Sequence, residues 1–164
     1  MSELVELNNE YVQQLFSCEK NIVSNPNPRD KSNSLHTETG IEAESVDGQF
    51  KFYVFMRQHV ELVEHFSVGL IYQPEGGKSV CLKRYNGNHG AHKNFLTGEV
   101  LEDCCHIHEY NEGLNDTGIA VDNHAQCTDT FSSIEEARKQ FFDDLNFVNY
   151  LDFYPELAQD TLGI

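Results

Sequence analysis

The chain has 164 residues, 39% hydrophobic and 11% aromatic, which suffices for one well-buried core but is short for two domains and too apolar for a disordered chain. No apolar run approaches the roughly 18 residues of a membrane-spanning helix, and the start Met1-Ser2-Glu3-Leu4-Val5-Glu6 lacks the basic-then-apolar order of a secretory leader. Eleven Lys and Arg stand against 27 Asp and Glu, a net charge of −16, which disfavours an indiscriminate grip on nucleic acid or on an anionic membrane. Five cysteines are an odd count without a leader, so the expectation is small buried thiols in a cytoplasmic protein rather than a disulfide framework.

Leu4, Leu7, Tyr11 and Leu15 recur at helical spacing and predict an amphipathic helix over 3–18. Asn25-Pro26-Asn27-Pro28 and the polar residues that follow break regular structure; residues 21–36 read as a loop that leaves the first helix free to dock separately or on a second subunit. From Thr37 the period becomes two. Ile41, Ala43 and Ser45 alternate with Glu42 and Glu44, Asp47-Gly48 supplies a two-residue hairpin turn, and Phe50, Phe52, Val54 and Met56 line one face of the returning strand. Phe66, Val68, Leu70 and Tyr72 mark a third strand, Pro74-Glu75-Gly76-Gly77 a turn, and 78–85 a fourth strand with Val80, Leu82 and Arg84 aligned. Residues 86–99 read as a loop, 100–110 as a fifth strand and 113–125 as irregular. Ser132 and Ser133, each three residues before a glutamate, open a helix with Ile134, Ala137, Phe141 and Leu145 on one face. Pro155 interrupts an aromatic tail ending in a short helical stretch. The expected fold is α+β: an antiparallel sheet of about five strands with an N-terminal and a C-terminal helix on one face. It forms a single domain over 1–164, with the helix at 1–20, the loop at 21–36, the core at 37–146 and the tail at 147–164.

Two clusters carry the chemistry. Lys83-Arg84-Tyr85-Asn86-Gly87-Asn88-His89-Gly90-Ala91-His92-Lys93 and His106-Ile107-His108-Glu109-Tyr110 hold four of the eight histidines and three of the eleven basic residues of an acidic chain. Such a concentration points to an anion, a phosphate above all. His106 and His108, two apart on a strand, share a face and can act as general base and acid, with His89 and His92 as the second pair. Glycines in 87–90 let backbone amides approach phosphate oxygens, Arg84 supplies a bidentate contact, and Lys93 a point charge. Tyr85 and Tyr110 position the substrate by stacking. No cofactor is called for; the competing site is a divalent metal held by Cys104, His106, His108 and a carboxylate such as Asp122.

The run Leu82 to Asn94, then His106-Ile107-His108-Glu109-Tyr110, then Ile134-Glu135-Glu136-Ala137, resembles an uncharacterised family of small bacterial proteins and is distantly similar to small toxins of toxin–antitoxin pairs, over about 48–146. The family implies no settled activity. The toxin similarity implies activity on RNA. The expectation is a bacterial or phage ribonuclease-like protein acting on RNA or a nucleotide. A non-enzymatic acidic interaction protein, antitoxin-like or mimicking nucleic acid toward a basic protein partner, is the alternative; no membrane partner is expected.

Overall fold

The computed structural model describes residues 7–29, 35–88, 92–93, 100–101, 104–110 and 125–162, with residues 29, 92–93, 100–101 and 159–162 described by backbone alone. The organising unit is the long hairpin of β3 (His36–Ser45) and β4 (Lys51–His59). Its turn spans four residues rather than two: Ser45 N–H donates to Phe50 O, Asp47 Oδ1 accepts from Ser45 Oγ and Gln49 N, and Gly48 takes the left-handed φ of 76° that favours glycine. β5 (Phe66–Tyr72), β6 (Val80–Asn86), β9 (Cys105–Glu109) and β10 (Ala125–Thr128) extend the sheet on one side of this hairpin. On the other side, both β1 (Lys20–Ile22) and β2 (Asn27–Arg29) pair with β3.

The sheet is antiparallel and eight-stranded, in the order β1-β3-β4-β5-β6-β9-β10 with β2 also on β3, while β7 (His92–Lys93) and β8 (Val100–Leu101) form a separate ribbon. The α+β class is as expected, but five strands understates the sheet. The supposed loop at 21–36 contributes two strands, because β3 is long enough to serve two partners. The supposed fifth strand is split into β8 and β9. β10 carries little alternation in its four residues and gave no sequence signal.

One face of the sheet is apolar. Phe52, Val54 and Met56 of β4, Phe66, Val68 and Leu70 of β5, and Leu82 and Tyr85 of β6 are buried there. Against them pack α1 (Asn9–Ser17) through Val12, Leu15 and Phe16, and α2 (Ile134–Asp144) through Ala137, Phe141 and Phe142. Asn8 caps α1, its Oδ1 accepting from Tyr11 N; Ser133 caps α2, its Oγ accepting from Glu136 N at 3.2 Å while the Glu136 carboxylate accepts from Ser132 N–H. α3 (Tyr150–Phe153) and a 3₁₀ helix (Pro155–Leu162) close the aromatic end, with Phe142 stacked on Tyr150 and Tyr154. Among the described residues no helix is long and apolar enough to cross a membrane.

α1 does not dock separately. Fully buried Lys20, just past its end, donates from Nζ to the carbonyls of Phe16 (2.9 Å), Cys18 (2.9 Å) and Leu145 (2.7 Å), under the rings of Phe52 and Phe147. The carbonyls are ones that the last turns of α1 and α2 leave without helical donors. Burial pulls the Lys20 ammonium down to about 8, partly opposed by Cys18.

Candidate functional site

Strand register decides which polar side chains meet on the second face of the sheet. Glu38 of β3 lies opposite Arg57 of β4, Arg57 opposite Ser67 of β5, Ser67 opposite Asn86 of β6, Asn86 opposite His106 of β9, and His106 opposite Cys127 of β10. This polar row crosses six strands. The adjacent row runs Gly40, Phe55, Gly69, Arg84, His108 and Ala125. Arg84 reaches this face because of a β-bulge: the β5–β6 register shifts between Leu70 and Ile71, so Leu82 and Tyr85 both point into the core and the simple alternation that aligned Arg84 with Leu82 fails.

A cleft of about 400 Å³ opens on this face, lined by His36, Arg57, His65, Phe66, Ser67, Arg84 and Asn86, a size suited to a small molecule. Its described lining holds two guanidiniums and two imidazoles and no carboxylate. His36 lies opposite His59 in the hairpin register, with ring centroids 5.1 Å apart, and His59 is 6.0 Å from His65. Burial, then Arg57, His59 and His65, hold the His36 imidazole below its ordinary range. Arg57 and Arg84 concentrate positive charge here in a chain of net charge −16.

Behind the cleft runs a hydrogen-bonded line. Ser67 Oγ donates to Asn86 Oδ1 at 2.6 Å, which leaves the Asn86 amide nitrogen facing His106 Nε2 at 3.4 Å; His106 Nδ1 lies 3.4 Å from the Cys104 carbonyl. One assignment satisfies every partner: Asn86 donates to Nε2, and His106 carries its proton on Nδ1, directed at Cys104 O. His106 and His108 share a face as the spacing predicts, with ring centroids 5.1 Å apart in edge-to-face contact, and each is only 1% exposed. They back the cleft wall rather than line it.

Tyr85, read from sequence as a stacking platform, is fully buried on the opposite face, stacked on Phe131 with its hydroxyl donating to Asp144 Oδ2 at 2.5 Å. Burial and then this bond drive its phenol far above its ordinary range. Tyr110 packs half-buried against the core. Gly87 does not offer its amide to a ligand, since its N–H donates to Phe66 O at 2.9 Å. A Cβ there would meet Glu64 O at 1.9 Å, so the missing side chain serves the approach of the 60–64 connector. His89 and Asp122 lie outside the described residues, as do the side chains of His92 and Lys93.

Cys104 is not a free ligand. It forms a disulfide with Cys127, Cα atoms 5.7 Å apart, contrary to the expectation of free thiols. β10, unseen in the sequence, is the reason: its register with β9 sets Cys127 opposite His106, and Cys104 lies two residues from His106 on that same face. The pairing removes the thiolate from the postulated metal set and withdraws the cysteine half of the case for a cytoplasmic location. Among the described residues no group of three or more His, Cys, Asp or Glu is placed to hold a metal ion. No protein-family model matches this chain, no curated protein is similar to it, and no solved structure matches it.

His36, Arg57, His59 and His65 were missed by sequence reasoning. None sits in a motif. Their signal was the hairpin itself, since strands meeting at Asp47-Gly48 bring His36 to His59 and set Arg57 on the face away from Phe52, Val54 and Met56.

Proposed function

We propose that this protein binds a phosphate-bearing small ligand, a nucleotide or the end of an RNA strand, in the cleft between Arg57 and Arg84, and that His36 and His65 carry out acid–base chemistry on it. The observation that carries this reading is the cleft lining: two guanidiniums and two imidazoles with Ser67 and Asn86, and no carboxylate among the described residues. Guanidinium forks match phosphate oxygens, and two histidines in one cleft supply the two proton-transfer groups that RNA transesterification needs, a base at the 2′-hydroxyl and an acid at the leaving oxygen. The net charge of −16 repels a long polyanion but is overcome locally for a ligand with few phosphates.

In this reading His106 and His108 are positioning residues. His106 fixes the Asn86 amide, and His108 stands opposite Arg84. The test incubates purified protein with a mixed RNA pool, with and without EDTA, beside Arg57→Ala/Arg84→Ala and His36→Ala/His65→Ala, while calorimetry follows binding of a nucleoside monophosphate. EDTA-resistant cleavage lost in both double variants supports the whole reading. Nucleotide binding that needs both arginines, without cleavage, keeps the binding site and discards the chemistry. Binding unaffected by loss of both arginines sinks the proposal.

A further inference from the structure

The start of the connector over 60–64, between β4 and β5, is gathered on one side-chain nitrogen. His59 Nδ1 accepts from Glu61 N–H at 3.1 Å and from Leu62 N–H at 2.9 Å. An imidazole nitrogen accepts only through an unprotonated lone pair, and the doubly protonated ring has donors alone. Both bonds therefore require neutral His59 with its proton on Nε2.

We infer that this connector is a histidine-held latch on the cleft wall, closed while His59 is neutral and released when His59 is protonated.

What the latch holds is clear from its other bonds. His59 N–H donates to His65 O, His65 N–H donates to Leu62 O, Gln58 Nε2 donates to Val63 O, and Val60 N–H donates to Leu35 O. His65, at the end of the connector, is a wall of the cleft. Apolar packing contributes little to its anchorage, since Val60, Leu62 and Val63 are 52%, 45% and 59% exposed. A segment held by exposed polar bonds sits at the low end of local stability, and losing two of them on one protonation lowers that stability further.

The surroundings amplify the response. Facing His59 are His36 and, two residues along, Glu38 from β3; Arg57 from β4; Glu61, Glu64 and His65 from the connector and its end; and Arg84 lies across the cleft on β6. Acid places up to three charged rings beside Arg57, and exposed Glu61 and Glu64 only partly offset them. An anion in the cleft favours the charged rings, so a bound phosphate should move release to higher pH. That link rests on the binding reading above, whereas the latch does not.

The test is an NMR pH titration of the full chain, isotope-labelled, from pH 7.5 to 5, with and without 10 mM inorganic phosphate. At pH 7.5 the His59 ring should be the Nε2–H tautomer. On acidification the Glu61 and Leu62 amides should move with the midpoint of the His59 ring, and their hydrogen-exchange protection, corrected for intrinsic rate, should fall at least tenfold. His59→Asn keeps an acceptor oxygen at the Nδ1 position without a titrating group, and it should hold that protection at pH 5; His59→Ala should lack it throughout. An Nδ1–H tautomer, pH-independent protection in the wild type, or equal loss in His59→Asn overturns the latch. Release that is unchanged by phosphate leaves the latch standing and counts against the anion site.

Discussion

Gly87→Ala tests how closely the connector is packed on the end of β6. The added Cβ would lie 1.9 Å from the Glu64 carbonyl oxygen and 2.6 Å from two ring carbons of Phe66. Heavy atoms need roughly 3.5 Å, so the gap falls short by about 1.6 Å, and the first obstacle is main chain that no rotamer change can move. Overpacking costs about 1–3 kcal/mol, the upper end applying to a backbone obstacle. Forcing the connector away also weakens the Gly87 N–H to Phe66 O bond, worth about 1 kcal/mol, while the stiffer unfolded chain returns about 0.5 kcal/mol. The expected loss is about 3 kcal/mol, read as a lower urea midpoint at unchanged slope. Gly69→Ala is the internal control. Its Cβ would meet a Phe55 ring carbon at 2.2 Å, but that ring is a half-buried side chain that can swing aside, and the cost should stay near 1 kcal/mol. A Gly87→Ala loss below about 0.5 kcal/mol, or smaller than that of Gly69→Ala, would refute the reasoning.

Reducing the Cys104–Cys127 disulfide, which closes a separation of 23 residues, should cost about 3 kcal/mol by chain entropy, seen as a lower melting midpoint with reductant that Cys104→Ser/Cys127→Ser reproduces and that reductant no longer shifts. Lys20 sits at about 8 when folded against an ordinary 10.5, so between these values the folded chain holds fewer protons than the unfolded one. Its contribution to stability therefore rises with pH across that window, by up to about 3 kcal/mol; the wild-type-minus-Lys20→Met difference, measured by denaturation at pH 7.5 to 10.5, should rise by that amount, and a flat difference would refute the reasoning. Tyr85→Phe removes the hydroxyl bond to Asp144, whose exposed carboxylate can rehydrate, and should cost about 1–2 kcal/mol in urea melts without moving nucleotide affinity; weakened binding of a nucleotide would place Tyr85 in the site after all.

The hairpin, the face-to-face alternation of β4 and β5 and the caps of α2 were legible in the sequence, since each rests on local chemistry: Asp47-Gly48 at a turn, period-two burial, a serine three residues before Glu136. What escaped was non-local. β1, β2 and β10 are three- or four-residue strands whose existence depends on an edge to pair with, and no periodicity survives at that length. The bulge at Leu70/Ile71 inverted the phase of β6, so Arg84 and Tyr85 exchanged expected faces. The clusters rich in histidine drew attention to 83–110, yet the titratable groups lining the cleft come equally from His36, Arg57 and His65, residues that are isolated in sequence and joined only by register. His36 opposite His59 follows from counting outward from the hairpin turn, a step that needs the turn alone.

The three carbonyls that Lys20 gathers have a bearing on how the chain is made. Two of them precede it by four residues or fewer, but the third belongs to Leu145, 125 positions downstream. During synthesis at about 5–20 residues per second, a nascent chain waits roughly 6–25 s between making the ammonium and making that last acceptor. Throughout the interval the underside of α1 and the apolar faces of β3 to β6 lack α2. Sealing the core is thus a late event in the making of the chain, and a factor that shields apolar surface has its window before Leu145 emerges.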